Sequence, residues 1–259
     1  MEILSVKLIG GVIDNKQFRI DNFALATLEL PCKPKFILTI FCYENFMLAI
    51  IDYKAGNLTS VKLAMETIGV EGVITSDPEV VRNADRVIFP GVGAAGATML
   101  NLKQLRLDEA LYDVAQRGIP LLGICVGMQV LLDYSEENNN TKTLGIIPGK
   151  TLRFKPDNHY TKIPQIGWNS VILNPNINSD NHDNNDKKYF ENIKSGSDFY
   201  FVHSYYPVPK NPENILATTE YANVNFASII RHKNIIATQF HPEKSGQLGL
   251  KFLENFCLG

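Results

Sequence analysis

From Met47 onward the chain alternates short apolar runs with stretches of helical periodicity, and this alternation constrains the fold more than any other feature. Leu48-Ala49-Ile50-Ile51-Asp52 reads as a buried strand. Gly56-Asn57 is a turn, and Leu58, Val61, Ala64, Met65 and Ile68 then recur at helical spacing until Gly69. Residues 72–75 read as a strand. Asp77 as N-cap and Pro78 as first helical residue open a helix over 78–83. Residues 86–89 form a strand that runs into Pro90-Gly91-Val92-Gly93. A helix over 108–116 ends near Gly118, a strand follows at 119–124, and a helix is expected at 128–134. This βαβα order predicts an α/β fold with a central, mostly parallel sheet flanked by helices. In the C-terminal half, strands at 150–154, 170–173, 199–203, 215–220, 226–231 and 235–240 have little helix between them, so added antiparallel strands are expected. Two polar stretches, 137–143 and the Asn/Asp-rich 174–188, read as surface loops. A last helix carries Leu248, Phe252 and Phe256 on one face.

Composition mainly excludes. At 45% hydrophobic and 20% charged, with net charge −2, the chain has neither a nucleic-acid-binding nor a membrane-binding balance. The apolar stretch 36–51 is interrupted by Glu44 and Asn45 and is short for a span. Met1-Glu2 does not open a signal peptide. Cys32, Cys42, Cys125 and Cys257 are scattered, which argues against both a zinc site and a disulfide framework. No metal or cofactor is expected, and the reading is of a protein of the reducing cytoplasm. Residues 1–46 carry no motif. They are expected to be an accessory extension, or the product of an upstream start codon, ahead of a domain over 47–259.

The chemistry concentrates on one strand end. Leu121-Leu122-Gly123-Ile124 runs into Gly-x-Cys-x-Gly at 123–127, the pattern of a nucleophile elbow with Cys125 as the nucleophile. Most cysteines are inert and buried, so the motif needs support. A cysteine nucleophile requires a base, and the base an orienting group. His182, His159 and His232 lie among polar residues and read as surface. His203 ends an apolar strand, where a structural or a substrate-shaping role serves as well as a catalytic one. His241 follows an apolar strand and precedes Pro242-Glu243. In extended chain, residues i and i+2 share a side, so Glu243 falls near the imidazole. A His-x-Glu pair alone arises often by chance. The turn 90–93 follows a strand and can aim the amides of Val92 or Gly93 at an oxyanion, with the amide of Val126 as the second donor. Its plain alternative is a βα turn in which glycine only permits positive φ.

Taken together, Gly123-Ile124-Cys125-Val126-Gly127-Met128-Gln129, the Pro-Gly-Val-Gly turn and Phe240-His241-Pro242-Glu243 resemble the class I (triad) glutamine amidotransferases over 47–259. Asp52-Tyr53-Lys54-Ala55-Gly56-Asn57, Met128, Gly167-Trp168-Asn169 and His-Pro-Glu-Lys-Ser at 241–245 are similar to the HisH branch, which provides the glutaminase of imidazole glycerol phosphate synthase. The chain departs from that pattern at Gln165, where His is commoner, and at Lys54, where Gly is frequent.

The resemblance implies a catalytic set of Cys125, His241 and Glu243, and oxyanion amides at Val92 or Gly93 and Val126. It implies substrate contacts from Gln129, Glu137, His203, Ser204 and Tyr205. The bland alternative for Gln129 and Glu137 is a solvated helix end and loop. It further implies L-glutamine as substrate and, as partner in histidine biosynthesis, a barrel-shaped cyclase subunit. The two subunits would form a heterodimer meeting at Trp168, Asn169, Tyr200 and Lys244. From sequence alone, Trp168 serves equally as a core residue. Two other readings stay open: a paralogue feeding ammonia to a sugar-modifying synthase, and a non-catalytic regulatory subunit of the same fold.

Overall fold

The computed structural model describes residues 27–28, 38–39, 46–55, 58–157, 159–175 and 184–259. The Gly56-Asn57 turn, His182 and most of 174–188 therefore lie outside the described residues. The chain divides into two units, Met1–Asn45 and Phe46–Gly259. In the first, β1 (Thr27–Leu28) pairs antiparallel with β2 (Leu38–Thr39).

The second unit begins as the alternation demands: β3 (Leu48–Ile51), α1 (Leu58–Thr67), β4 (Gly72–Thr75), α2 (Pro78–Arg82), β5 (Arg86–Gly91), α3 (Ala95–Gln104), α4 (Leu107–Arg117), β6 (Leu121–Cys125) and α5 (Val126–Val130). Then come β7 (Tyr134–Ser135), the tight turn α6 (Glu137–Asn140), β8 (Thr141–Lys142), β9 (Gly149–Arg153), β10 (Gln165–Leu173) and α7 (Asn184–Lys187). The chain continues through β11 (Ser197–His203), β12 (Tyr205–Pro209), β13 (Ile215–Tyr221), β14 (Val224–His232), β15 (Ile235–Thr238) and α8 (Gly246–Leu258). Local chemistry sets several ends. Asp77 accepts the Glu79 N–H at 2.9 Å to cap α2. Gly118, at φ 76°, closes α4 in the left-handed conformation that glycine adopts without a steric penalty.

Nine strands form one sheet in the order β11-β10-β13-β14-β15-β6-β5-β3-β4. Strands β4, β3, β5, β6 and β15 run parallel to their neighbours, and β14, β13, β10 and β11 extend the sheet antiparallel from β15. The expected α/β architecture is present, with one refinement: β15, which reads from sequence as antiparallel, returns to the centre and lies parallel to β6. A second sheet, β12-β9-β7-β8, is not visible in the sequence pattern. Helix α1 packs with α8, and α3 packs with α4 and α5. Leu48, Ile50, Ile88, Leu121, Leu122 and Ile236 are all fully buried, which explains why the central strands read as unbroken apolar runs.

The topology positions the site. Strand β6 sits between β5 and β15, with Cys125 paired to Gly91 and Ile124 paired to Thr238. The carboxyl ends of three adjacent parallel strands therefore deliver the glycine turn, Cys125 and the segment leading to His241 to one edge of the sheet, where open α/β sheets bind ligands. None of the helices among the described residues is long and apolar enough to cross a membrane.

Candidate active site

Cys125 sits at φ 53° and ψ −108°, a conformation that a side-chain-bearing residue rarely adopts. The strain persists because the surroundings hold it. Gly91 and Gly127 approach each other so closely that a Cβ on Gly91 would lie 2.6 Å from the Gly127 nitrogen. The expected helix over 128–134 is replaced by the short α5, which starts directly after the cysteine. Its continuation is pre-empted, because the N–H groups of Leu144 and Ile147 bond the carbonyls of Val130 and Leu131, each at 2.9 Å. The chain then turns away into β7.

His241 follows β15, and residues Pro242–Lys244 form one 3-10 turn. The pairing of His241 with Glu243 thus arises in a turn, not in the extended chain that the i, i+2 spacing suggests. Imidazole Nδ1 lies 2.7 Å from Glu243 Oε1, with both side chains buried. Ser245 fixes the turn to β11: its Oγ donates to the His241 carbonyl at 2.6 Å and accepts the Tyr200 N–H at 2.9 Å. The His241 N–H donates in turn to the Tyr200 carbonyl at 2.9 Å. Among the described residues, His241 Nε2 makes no hydrogen bond of standard geometry. Burial alone would lower the imidazole pKa. The charge and hydrogen-bonding capacity of the Cys125 sulfur, with Glu243 behind them, outweigh burial and hold it up at about 10. The ring is therefore cationic beside the sulfur near neutral pH.

The turn at 90–93 is held by a residue that the sequence does not single out for this role. The Val92 N–H donates to the Tyr53 hydroxyl at 3.2 Å, and that hydroxyl donates to the Val92 carbonyl at 3.4 Å. Tyr53 is fully buried, and desolvation pushes its phenol up to about 12, so it stays protonated. Val92, expected as an oxyanion donor, thus has its N–H engaged by a side chain. Gly93, at φ 98°, has open space where a Cβ would stand. The Val126 amide begins α5, where no intrahelical acceptor is available to it.

The expected substrate contacts divide. Gln129 is buried, and its amide nitrogen donates to the Tyr205 carbonyl at 3.0 Å and to Gln239 Oε1 at 2.9 Å. Glu137, expected as a substrate contact, instead accepts the Ala95 N–H at 2.6 Å. The neighbouring Asn138 side chain accepts from Gly96 at 3.4 Å. These groups cap α3, whose own N-cap residue, Ala94, offers no side-chain acceptor.

His203 is a correction. It is buried among Phe154, Phe201 and Phe226, with Nδ1 2.7 Å from the Tyr205 carbonyl and Nε2 3.1 Å from the Gln165 amide. Both nitrogens are taken up inside the protein, and desolvation lowers its pKa to about 4, so the ring is neutral and structural. Because Tyr205 offers only a carbonyl, Nδ1 carries the proton, and Gln165 must turn its NH2 toward Nε2. Ser204 and Tyr205 are half-buried and engage the protein through their carbonyls, Ser204 accepting the Phe154 N–H at 3.1 Å. The clearest omission of sequence reasoning is Gln239, whose amide nitrogen lies 3.6 Å from Cys125 Sγ.

Trp168 is 57% exposed and is not a core residue. It pairs across the ladder with Tyr200, edge to face at 6.1 Å, and Lys244 is exposed. Ile166 and Ile172 share its face of β10 and are also exposed. Asn169 donates to the Glu220 carbonyl at 2.9 Å. Among the described residues, no cluster of three or more His, Cys, Asp or Glu could hold a metal ion.

Comparison with known proteins agrees with this geometry. A family model described as glutamine amidotransferase class-I matches residues 49–259. The chain is 49% identical over 213 residues to the imidazole glycerol phosphate synthase subunit HisH of Dehalococcoides mccartyi, covering 81% of this chain and 96% of the relative. It is 45% identical over 213 residues to subunit HisH 1 of Methanococcus maripaludis, covering 81% and 98%. Among solved structures, PurLQS from Thermotoga maritima contains a chain of similar fold, with TM-score 0.59 at 16% identity, covering 81% of this chain and 96% of that one.

Proposed function

The chain belongs to the class I glutamine amidotransferases, within their HisH group, and from that premise we propose how its residues divide the work. It is a glutaminase, releasing ammonia from L-glutamine as a subunit of imidazole glycerol phosphate synthase. Near-complete coverage of HisH chains at 45–49% identity supports this. We take the cyclase subunit of that synthase to be the partner and the cytoplasm to be the setting. The free thiols of Cys125 and Cys257 suit a reducing compartment.

In this proposal the Cys125 thiolate attacks the side-chain amide carbon of glutamine. The carbonyl π electrons move to oxygen, and the Val126 amide with Gly93 stabilises that charge. Val92 joins only if its peptide leaves Tyr53. The C–N bond then breaks, His241 hands its proton to the departing nitrogen, and a thioester remains. His241, now neutral, takes a proton from water; the hydroxide attacks the thioester and expels the thiolate, leaving glutamate. Glu243 keeps the ring oriented and balances its charge. The observation that carries the scheme is a strained Cys125 at the end of β6 beside His241, whose Nδ1 is held by Glu243 at 2.7 Å and whose Nε2 is not taken up by a standard hydrogen bond among the described residues. Gln129 has both amide protons engaged, so only its oxygen remains for the substrate ammonium. Glu137 reaches substrate only by releasing α3. Asn169 lies on the other side of β10 with its amide on the Glu220 carbonyl, and the Trp168–Tyr200 pair with Lys244 forms the face we assign to the cyclase. It lies one hydrogen bond from the His241 backbone.

The test is glutamine hydrolysis by the purified chain, with and without a histidine-pathway cyclase and its ribulosyl substrate. Strong stimulation by both together is expected. Hydrolysis without stimulation points to a different ammonia acceptor, and no hydrolysis under any condition overturns the enzymatic reading.

We also propose that residues 1–46 are accessory to catalysis. A chain starting at Met47 is expected to stay soluble and to keep the cyclase-stimulated rate of the full chain. Insolubility or loss of that rate contradicts it.

A further inference from the structure

The buried polar groups behind the nucleophile form one directed chain, and its direction can be worked out from chemistry alone. It starts at the Tyr205 carbonyl, which can only accept. The group facing it on Gln129, at 3.0 Å, must therefore be the NH2. The second proton of that NH2 points to Gln239 at 2.9 Å, so Gln239 presents its oxygen to Gln129. Its own NH2 is then left toward Cys125 Sγ, at 3.6 Å. Reversing Gln129 would set acceptor against acceptor, and reversing Gln239 would set donor against donor. His203 secures the anchor, because its Nδ1 also donates to the Tyr205 carbonyl, at 2.7 Å. The Gln239 backbone is pinned too, its N–H donating to the Ser228 carbonyl at 2.9 Å. Gln239 is fully buried and Gln129 almost so.

We infer that Gln239 is a positioning residue for the nucleophile: its amide is a fixed, uncharged donor that holds the Cys125 sulfur and stabilises the thiolate. This rests on Cys125 being the nucleophile. Among the described residues, the titratable groups that interact with the sulfur include His241 and Tyr53. His241 changes charge during the reaction, and Tyr53 stays protonated. A neutral amide adds a donor that persists while the imidazole gives up its proton. It acts together with the imidazolium whenever the sulfur is anionic, both before attack and when thioester hydrolysis expels the thiolate.

The test compares wild type, Cys125→Ala and Gln239→Met, each assayed with the cyclase. Methionine keeps the length and burial of glutamine and removes the donor. For Gln239→Met, kcat is expected to fall roughly tenfold or more, the scale of a lost hydrogen bond to a charged group, with KM nearly unchanged. The pH profile of Cys125 alkylation by iodoacetamide is expected to move upward. A purely structural role would alter thermal stability and leave that profile in place. Glutamine hydrolysis by Cys125→Ala overturns the underlying assignment. An inactive Cys125→Ala beside a Gln239→Met enzyme with wild-type kcat and alkylation profile overturns this inference alone. Should Gln239→Met not fold, NMR of the wild-type chain decides. The Gln239 side-chain NH2 resonances are expected to shift on alkylation of Cys125, and unmoved resonances refute the bond.

Discussion

Replacing Cys125 by alanine is expected to abolish glutamine hydrolysis, lowering the cyclase-stimulated rate by roughly 10⁴–10⁶-fold, the range seen when a nucleophile that acts with a base is removed. Among the described residues, no other cysteine thiol can substitute within this site. Cys257 lies against Met65 at 3.8 Å, and burial pushes its thiol up to about 12. The fold should survive. Alanine at φ 53° carries the same backbone strain as cysteine and loses the sulfur's interactions with His241, with Gln239 and with the Val202 carbonyl at 3.9 Å. Cys125→Gly sharpens the point. It should be equally inactive, yet more stable than the alanine variant by about 1 kcal/mol, because glycine adopts positive φ without the Cβ penalty. Glutamate release in the presence of the cyclase measures the first effect, and urea unfolding of the two variants the second. An alanine variant retaining more than a few per cent of the rate would remove Cys125 from the mechanism. A glycine variant less stable than alanine would mean that the elbow is not strained in the way its dihedral angles indicate.

The same elbow shows what a sequence displays and what it conceals. Cys125 and His241 were legible because each lies at or just past the end of an apolar strand, and Glu243 because it shares a short motif with His241. The alternation from Met47 onward was legible because buried parallel strands are apolar on both faces. What failed depended on partners distant in the chain. The helix after Cys125 is truncated by the N–H groups of Leu144 and Ile147, which no local propensity reveals. Helix α3 has no side-chain cap of its own, and Glu137 caps it from 42 residues away. That contact exists only in three dimensions, and the sequence resemblance points Glu137 toward substrate instead. Pro207 and Pro209 hide β12, and β7 and β8 are hidden by their two-residue length, while β9 reads from sequence as a strand at 150–154. Tyr53 and Gln239 stood beside recognised motifs. Their roles appear only once β3, β5, β6 and β15 are laid side by side.

Gly127→Ala should be the most damaging single-methyl change at the site, and competing propensities make it a discriminating test. On helix propensity alone, alanine within α5 would stabilise the chain by about 1 kcal/mol. Packing says the opposite. A Cβ on Gly127 would fall far inside the van der Waals contact distance of the Phe89 carbonyl oxygen and 3.2 Å from its carbon. That carbonyl belongs to β5, where Phe89 is paired with Gly123 of β6, so it cannot retreat without disturbing the centre of the sheet. Reciprocally, Gly91 at the end of β5 leaves room for the Gly127 nitrogen, so the two glycines define one backbone-to-backbone contact between elbow and turn. Overpacking of this kind costs about 1–3 kcal/mol, and more where backbone is the obstacle. A net loss of about 2 kcal/mol or more is therefore expected in urea unfolding. The displacement also separates the Val126 amide and the sulfur from the 90–93 turn, and misplacements of about 1 Å can cost roughly 100-fold in rate, so kcat should fall far more than KM rises. Gly118→Ala is the control: it meets no atom within 4 Å and carries only the left-handed penalty at φ 76°, so it should lose modest stability and keep full activity. A Gly127→Ala chain as stable and active as wild type would show that β5 and the elbow do not touch, and with that the oxyanion turn would lose its fixed relation to Cys125.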